Sequence, residues 1–328
     1  DFFPAGHILK MPEFKNADIV HCHNLHTNYF NLSTLEKISK LKPTVWTFHD
    51  MWPITAHCAH SFDGSLKQSG FFTCPSLEIS PPIAWHNEKY LESKKSKTYT
   101  DSNFHIVTPS KWLAEKVGQS LLKNKPISVI QNGIDTNVFK PLDKWRCRQE
   151  LGLPSDKKMI LNVTKKGRSN PWKGGNYVQD IINAYHNNPN VYFIDLGGDE
   201  NKMEGNVKTV SYVSNQETLV KYYSAADVLL YPSIADNCPL VVLEALACGL
   251  PVASFDTGGI PELVEHKKTG YIAEYKNTDD LKNGVEFVLG QKLSIENKAN
   301  KFDIKTMADK YLDLYQSVQQ VFRQNIRP

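Results

Sequence analysis

Several large protein classes are excluded by what this sequence lacks. No stretch approaches the roughly 18 continuous apolar residues of a membrane span, and a hydrophobic fraction of 41% with a mean hydropathy of -0.41 fits a soluble globular chain. An excess of one charge sign is missing too: 38 Lys and Arg against 35 Asp and Glu leave a net +3. Nucleic acid is therefore not expected as a partner, and only a weak attraction to anionic lipid or substrate is compatible with the charge. Cysteine is scarce, with six residues (Cys22, Cys58, Cys74, Cys147, Cys238, Cys248) and no Cys-x-x-Cys spacing. That usage predicts reduced thiols in a cytoplasmic protein rather than a disulfide framework. Internal repeats and low-complexity tracts are absent. The chain opens Asp1-Phe2-Phe3-Pro4, without Met or a basic-then-apolar leader, and reads as one whose beginning is absent.

What is present is 328 residues of alternating short β-rich runs and helical patterns, long enough for two α/β domains. Strands are predicted at 18–22, 43–48, 104–108 and 127–130, with helices at 32–41 and 111–123. Residues 50–100 interrupt the alternation with Pro53, Pro75 and Pro81-Pro82 and read as a long irregular insertion with a helix near 83–93. The turn signal Asn132-Gly133-Ile134-Asp135 precedes a polar segment from Pro141 to Asp156, so the domain junction is placed near 140. A second βα series follows, with strands at 159–163, 191–196, 209–213, 227–232, 251–255 and 271–274. Its helices fall at 173–185, 216–225, 239–247 and 278–288, a doubly wound pattern. The apolar stripe of residues 304–323 comes after that sheet is complete, so this helix is expected to pack on the first domain, through Tyr311 and Tyr315 among others.

The most informative stretch runs Ser233-Ile234-Ala235-Asp236-Asn237-Cys238-Pro239-Leu240-Val241-Val242-Leu243-Glu244-Ala245-Leu246-Ala247-Cys248-Gly249-Leu250-Pro251-Val252. An apolar strand ends at its start, a loop carries Asp236, and Pro239 opens an apolar helix that stops at Gly249. Ligands of doubly wound sheets bind beyond the carboxyl ends of strands, where a helix N-terminus offers N–H groups to phosphate. Glu244 sits among apolar residues, which makes a solvated surface role a poor explanation; a buried carboxylate satisfied by backbone amides is the alternative.

The Asp236 to Glu244 spacing, with the Gly-Leu-Pro-Val turn after it, resembles the signature of the family 4 retaining glycosyltransferases, whose first acid is usually Glu. Three further blocks extend the resemblance over most of the chain: Val129 to Pro141 as the interdomain junction, Thr257-Gly258-Gly259-Ile260-Pro261-Glu262-Leu263-Val264 as the diphosphate-side turn, and Asp18 to His21 with Thr47-Phe48-His49-Asp50 in the first domain. Residues 52–75 resemble a subgroup associated with capsule and exopolysaccharide assembly, through Trp52-Pro53, His57-Cys58 and Cys74-Pro75. Free thiols are expected there, with a four-ligand metal site of Cys58, Cys74, His57 and His60 as the alternative.

The resemblance implies an α/β GT-B fold, two Rossmann-like domains facing a cleft, the first N-terminally incomplete: 1–140 on the acceptor side, 141–303 binding the nucleotide sugar, and 304–328 returning to the first. It implies roles as well. Glu244 would hold the donor ribose and Asp236 the transferred sugar, with Asn237, Leu240, Gly258 and Gly259 lining the donor site. Arg168 and Lys173 would face the diphosphate, where cations are needed because no Asp-x-Asp metal signature is present. His49, following an apolar strand, would bond the donor sugar, and His23, Asn24 and His26 could meet the acceptor. The implied activity is metal-independent, cofactor-free transfer of a hexosyl unit, with retention, from a nucleoside diphosphate sugar to a saccharide or lipid-linked acceptor. The setting would be surface polysaccharide synthesis in the cytoplasm or at the inner face of its membrane, with peripheral membrane contact left open. Alternatives are a catalytically incomplete sugar-nucleotide-binding fragment with an interaction role, and a GT-B epimerase or phosphorylase.

Overall fold

A computed structural model describes residues 5–26, 29–61, 64–291, 293, 295 and 302–326. The opening tetrapeptide and the last two residues of the expected third segment lie outside them. The chain divides into two compact units, Asp1–Gln131 with Ala308–Pro328, and Asn132–Met307.

Unit one holds α1 (Pro12–Asn16), β1 (Val20–His23), α2 (Thr34–Leu41), β2 (Thr44–Thr47), α3 (Glu88–Thr100), β3 (His105–Thr108), α4 (Lys111–Gln119) and β4 (Ile127–Val129). Its sheet is parallel in the order β1-β2-β3-β4. Strand β2 is buried along its whole length, as expected for a parallel strand covered on both faces. Trp46, Phe48, Tyr99, Phe104 and Ile106 form the core around it, each worth about 1.5–3 kcal/mol of apolar burial. Helix α4 starts where Ser110 accepts a hydrogen bond from the Leu113 N–H at 3.1 Å, an ordinary N-cap.

The insertion departs from expectation in two ways. Its helix is α3, which begins at Glu88 rather than near 83, because Ser80, Pro81 and Pro82 run into exposed non-helical backbone through Trp85. Helix α3 has no apolar stripe, and it is held by buried polar groups instead. Lys95 donates to the carbonyls of Trp52 and of Thr55 (2.9 Å) with its ammonium over the Trp52 ring, and Glu92 takes Lys67 at 2.6 Å and Ser69 at 3.1 Å. Second, Cys58 and Cys74, expected as free thiols, are joined in a disulfide with Cα atoms 5.8 Å apart. The cause is tertiary: Phe72 N–H donates to Ile54 O at 2.8 Å, folding the loop back so that the two cysteines meet. The other four cysteines are free and buried. Among the described residues, no group of three or more His, Cys, Asp or Glu is arranged to hold a metal ion.

Unit two contains α5 (Lys144–Glu150), β5 (Lys158–Val163), α6 (Gly175–Ala184), β6 (Val191–Gly198), β7 (Lys202–Glu204), β8 (Val207–Ser211), α7 (Gln216–Ala225), β9 (Val228–Tyr231), α8 (Leu240–Ala247), β10 (Val252–Phe255), α9 (Ile260–Leu263), β11 (Gly270–Ala273) and α10 (Thr278–Gly290). The sheet order is β11-β10-β9-β5-β6-β8-β7, parallel except for the short edge strand β7, which pairs antiparallel with β8. The polar segment up to Asp156 contains α5, started by Asp143 accepting from Arg146 N–H at 2.7 Å. Asn215 and Asn277 cap α7 and α10 in the same way. Two apolar layers cover the two faces of the sheet, one including Leu161, Leu229 and Val242, the other Ile160, Leu230 and Phe255.

The last helix, α11 (Ile304–Ile326), starts in unit two, and from Ala308 it belongs to unit one. There Tyr311 and Tyr315 bond Thr47 (3.0 Å) and His21 (2.7 Å), the packing expected of its apolar stripe. The division falls at 131/132 and 307/308, whereas 140 and 303 were expected. The reason is pairing at the junction: Ile134 N–H donates to Phe302 O at 2.8 Å and Ile304 N–H to Ile134 O at 2.9 Å, which ties residues 132–140 into unit two.

Candidate functional site

In unit two the site residues collect beyond the carboxyl ends of β5 and β9. Strand β9 is wholly buried and stops at Tyr231. The loop after it is pinned to a distant turn, since the Trp172 carbonyl accepts from both the Ile234 N–H (3.1 Å) and the Ser233 hydroxyl (3.3 Å). Gly174 makes this approach feasible: its φ is +73°, and a Cβ there would lie 1.9 Å from the Pro232 carbonyl oxygen. Lys173, though 63 positions from Asp236, is thereby delivered onto its carboxylate as an ion pair. Asp236 Oδ2 also accepts from Tyr231 at 2.6 Å and Ser233 at 3.3 Å, and its Oδ1 accepts from the Asn237 N–H at 3.2 Å. Asn132 of the junction motif braces the same loop by donating to the Cys238 carbonyl at 3.0 Å.

Glu244 lies in the second turn of α8, half-buried, and its Oε2 accepts from the Tyr223 hydroxyl of α7 at 2.7 Å. Burial raises its pKa, and the tyrosine bond works against that rise. The first residue of α8, Leu240, is 48% exposed, and no side chain caps this helix terminus. Asn237 is buried, Gly258 adopts φ +54° in the turn after β10, and Gly259 caps α9.

Arg168 is held otherwise than expected. Its Nη2 donates to Glu204 of β7 at 2.6 Å, its Nε stands 3.8 Å from Asp195, and its backbone N–H donates to Asp195 at 3.3 Å. Asp195, buried in β6, also takes the Asn162 amide at 2.7 Å from its register partner. Neither cation of the expected diphosphate pair is thus without a carboxylate. Sequence reading missed Tyr223, Tyr231, Asp195 and Glu204; the only available signal was a tyrosine ending the apolar run of β9.

His49 belongs to unit one, at the carboxyl end of β2, within a cluster of imidazoles. Its Nε2 shares a 2.8 Å hydrogen bond with His23 Nδ1, and the rings stack at 5.1 Å. His21, 4.1 Å from His23, engages both ring nitrogens, one with Tyr315 and one with Thr47, each at 2.7 Å. His26 meets Asp50 at 3.0 Å. Burial lowers the pKa of His21 to about 4, helped by the charges of His23 and His49, and it lowers those of His23 and His49 as well. Unit one therefore presents neutral imidazoles near pH 7, suited to accepting and donating hydrogen bonds with hydroxyls.

The glycosyl transferases group 1 model matches residues 143–306, half of the chain. The chain belongs to this glycosyl transferase family. The glycosyltransferase family 4 model matches residues 3–138, so the two matches together take in both units. An uncharacterized glycosyltransferase of Methanocaldococcus jannaschii is 28% identical over 87% of this chain. Escherichia coli WcaC, named for colanic acid biosynthesis, is 25% identical over 75% of it. These alignments span 70% and 62% of the relatives' own lengths, and only 46% of a D-inositol 3-phosphate glycosyltransferase of Mycobacteroides abscessus. Among solved structures, HepE of Anabaena in complex with UDP superimposes with a TM-score of 0.68 at 18% identity, covering 95% of this chain and 82% of that one. Sucrose-phosphate synthase of Thermosynechococcus elongatus gives 0.68 at 17%, covering 93% and 74%. The fold of this family member is accordingly GT-B, with two Rossmann-like α/β units. Among the described residues, no helix is long and apolar enough to cross a membrane.

Proposed function

We propose that the protein transfers a hexosyl unit, with retention of anomeric configuration, from a nucleoside diphosphate sugar to a saccharide or lipid-linked acceptor in surface polysaccharide synthesis. The observation that carries this reading is the Lys173–Asp236 ion pair beyond the carboxyl ends of β5 and β9, the position where doubly wound sheets bind nucleotides, with Glu244 half-buried in the helix that follows. The structural relatives support the donor class, since HepE binds UDP and UDP-glucose. In this reading Glu244 accepts from the ribose hydroxyls, and Asp236 holds the transferred sugar. Gly258 and Gly259 admit the diphosphate close to backbone, and Asn237 and Leu240 line the donor. His49 of unit one offers a neutral imidazole suited to a sugar hydroxyl.

In the reaction, the bond from the anomeric carbon to the diphosphate oxygen breaks and leaves its electron pair on the diphosphate. The acceptor hydroxyl oxygen bonds the same carbon on the same face, and its proton passes to the departing diphosphate. Lys173 and Arg168 stabilise the charge that develops there, so no divalent ion and no cofactor are required.

Calorimetry with UDP, GDP and ADP, with and without chelator, tests the donor site. Glu244→Gln should weaken nucleotide binding roughly ten- to a hundredfold, about 1.5–3 kcal/mol for a lost charged hydrogen bond. Asp236→Asn should leave nucleotide affinity within a few fold while lowering affinity for the sugar nucleotide. Equal losses of free nucleotide in both variants would refute this division of roles, and a loss of binding with chelator would refute metal independence.

A further inference from the structure

Two buried phenols, outside every motif, touch the two acids. Tyr231, the last residue of β9, is 3% exposed and donates to Asp236 Oδ2; Tyr223, in α7, is 1% exposed and donates to Glu244 Oε2. Neither ring can relocate, because each is packed in the apolar layer that also contains Leu229, Val242 and Leu243. The contacts are distributed unevenly over each carboxylate. Among the described residues, Asp236 Oδ2 is taken by Tyr231, Ser233 and Lys173, whereas its Oδ1 accepts only the Asn237 N–H. For Glu244, Tyr223 occupies Oε2, and Oε1 accepts from no described residue. A carboxylate oxygen has two lone pairs, so each acid keeps acceptor capacity on the oxygen opposite its tyrosine.

We propose that Tyr231 and Tyr223 are positioning residues, each occupying one oxygen of a donor-binding acid and thereby presenting the other to the donor. The inference rests on the assignment of Asp236 to sugar and Glu244 to ribose. Tyr231 ends a buried strand and Asp236 lies in the pinned loop that follows, so a hydroxyl fixed on the sheet sets which oxygen of the carboxylate is occupied. Burial holds both phenols protonated, and therefore as donors, well beyond neutral pH.

Tyr→Phe removes one hydroxyl and keeps the packing. The full chain is titrated with UDP, GDP, ADP and their glucose conjugates, and the variants are compared on whichever base the parent binds. Tyr231→Phe should keep nucleotide affinity within threefold and weaken the sugar nucleotide about tenfold, following Asp236→Asn. Tyr223→Phe should weaken the nucleotide itself about tenfold and move the acid limb of binding to higher pH, because the bond it loses opposes the raised pKa of Glu244. Among the described residues, Tyr231 and Cys248 also interact electrostatically with Glu244, and both are pushed upward by burial, so neither changes charge in that range.

If Asp236→Asn weakens the sugar nucleotide and Tyr231→Phe does not, the positioning role of Tyr231 is overturned while the assignment of Asp236 survives. If Tyr223→Phe lowers only thermal stability, with unchanged affinity and pH profile, its positioning role is overturned. If Asp236→Asn has no sugar-specific effect, or no probe binds the parent, the underlying assignment falls and takes the inference with it.

Discussion

His21 should make unit one sensitive to acid, and the size of the effect can be worked out. Both of its ring nitrogens are engaged, by Tyr315 and Thr47, and burial with two neighbouring imidazoles lowers its pKa from 6.5 to about 4. Between those values the unfolded chain binds the proton and the folded chain does not, so stability is complete above about 6.5 and falls as pH drops towards 4. At about 1.4 kcal/mol per pH unit the gap sets a ceiling of roughly 3 kcal/mol. The ring is only half-buried, so solvent screening reduces this to about 2 kcal/mol. The perturbation is His21→Gln, whose amide can replace a donor and an acceptor without titrating. Urea unfolding at pH 7 and pH 4.5, followed by tryptophan fluorescence including that of the buried Trp46, should show a smaller loss between the two pH values for the variant, by about 2 kcal/mol. His23, His49 and His105 are also lowered by burial, and because they are present in both proteins that burial contribution cancels in the comparison. An identical pH dependence in the two proteins would refute the reasoning.

Two further outcomes are expected in unit two. Gly174→Ala should lower Tm by at least about 4 °C and weaken UDP binding, because a Cβ 1.9 Å from the Pro232 carbonyl displaces the turn that presents Lys173; thermal melting and calorimetry that match the parent would contradict this. Arg148 is buried, and it donates to Ala225 O (2.9 Å), Ser155 O (2.9 Å), Lys157 O (3.1 Å) and Asp227 (2.9 Å). Arg148→Met should therefore cost roughly 3–5 kcal/mol in urea unfolding by removing Asp227's buried ion-pair partner and leaving three carbonyls without their donor, and a loss under 1 kcal/mol would show that Lys144 and the Met159 N–H suffice for that acid.

How much could be read from the residues alone depended on how local the cause was. Helix α7 falls at Gln216–Ala225, as its pattern predicts, because its cap residue Asn215 and its buried positions lie within one short segment. The parallel strands were legible for the same reason: a strand buried on both faces is a continuous apolar run wherever it pairs. Helix α3 was misplaced because it is anchored by Lys95 and Glu92, whose partners Trp52, Thr55 and Lys67 come from elsewhere in the insertion, so no apolar period marked it. The Cys58–Cys74 bond likewise needed the folding back of the loop between them.

The same distinction runs through the candidate site. Sequence alone determined which two acids are the candidates, since Asp236 and Glu244 sit on one loop and helix, with a spacing and a flanking Gly-x-Pro-Val turn that belong to a single contiguous stretch. Only the tertiary structure decided what those acids touch. Lys173 reaches Asp236 across 63 positions, Tyr223 reaches Glu244 from a different helix, and Arg168 is drawn to Glu204 on the edge strand. Those contacts follow from how β5, β6 and β9 are ordered in the sheet, because side chains far apart in sequence become neighbours only after strand pairing brings their carboxyl ends together.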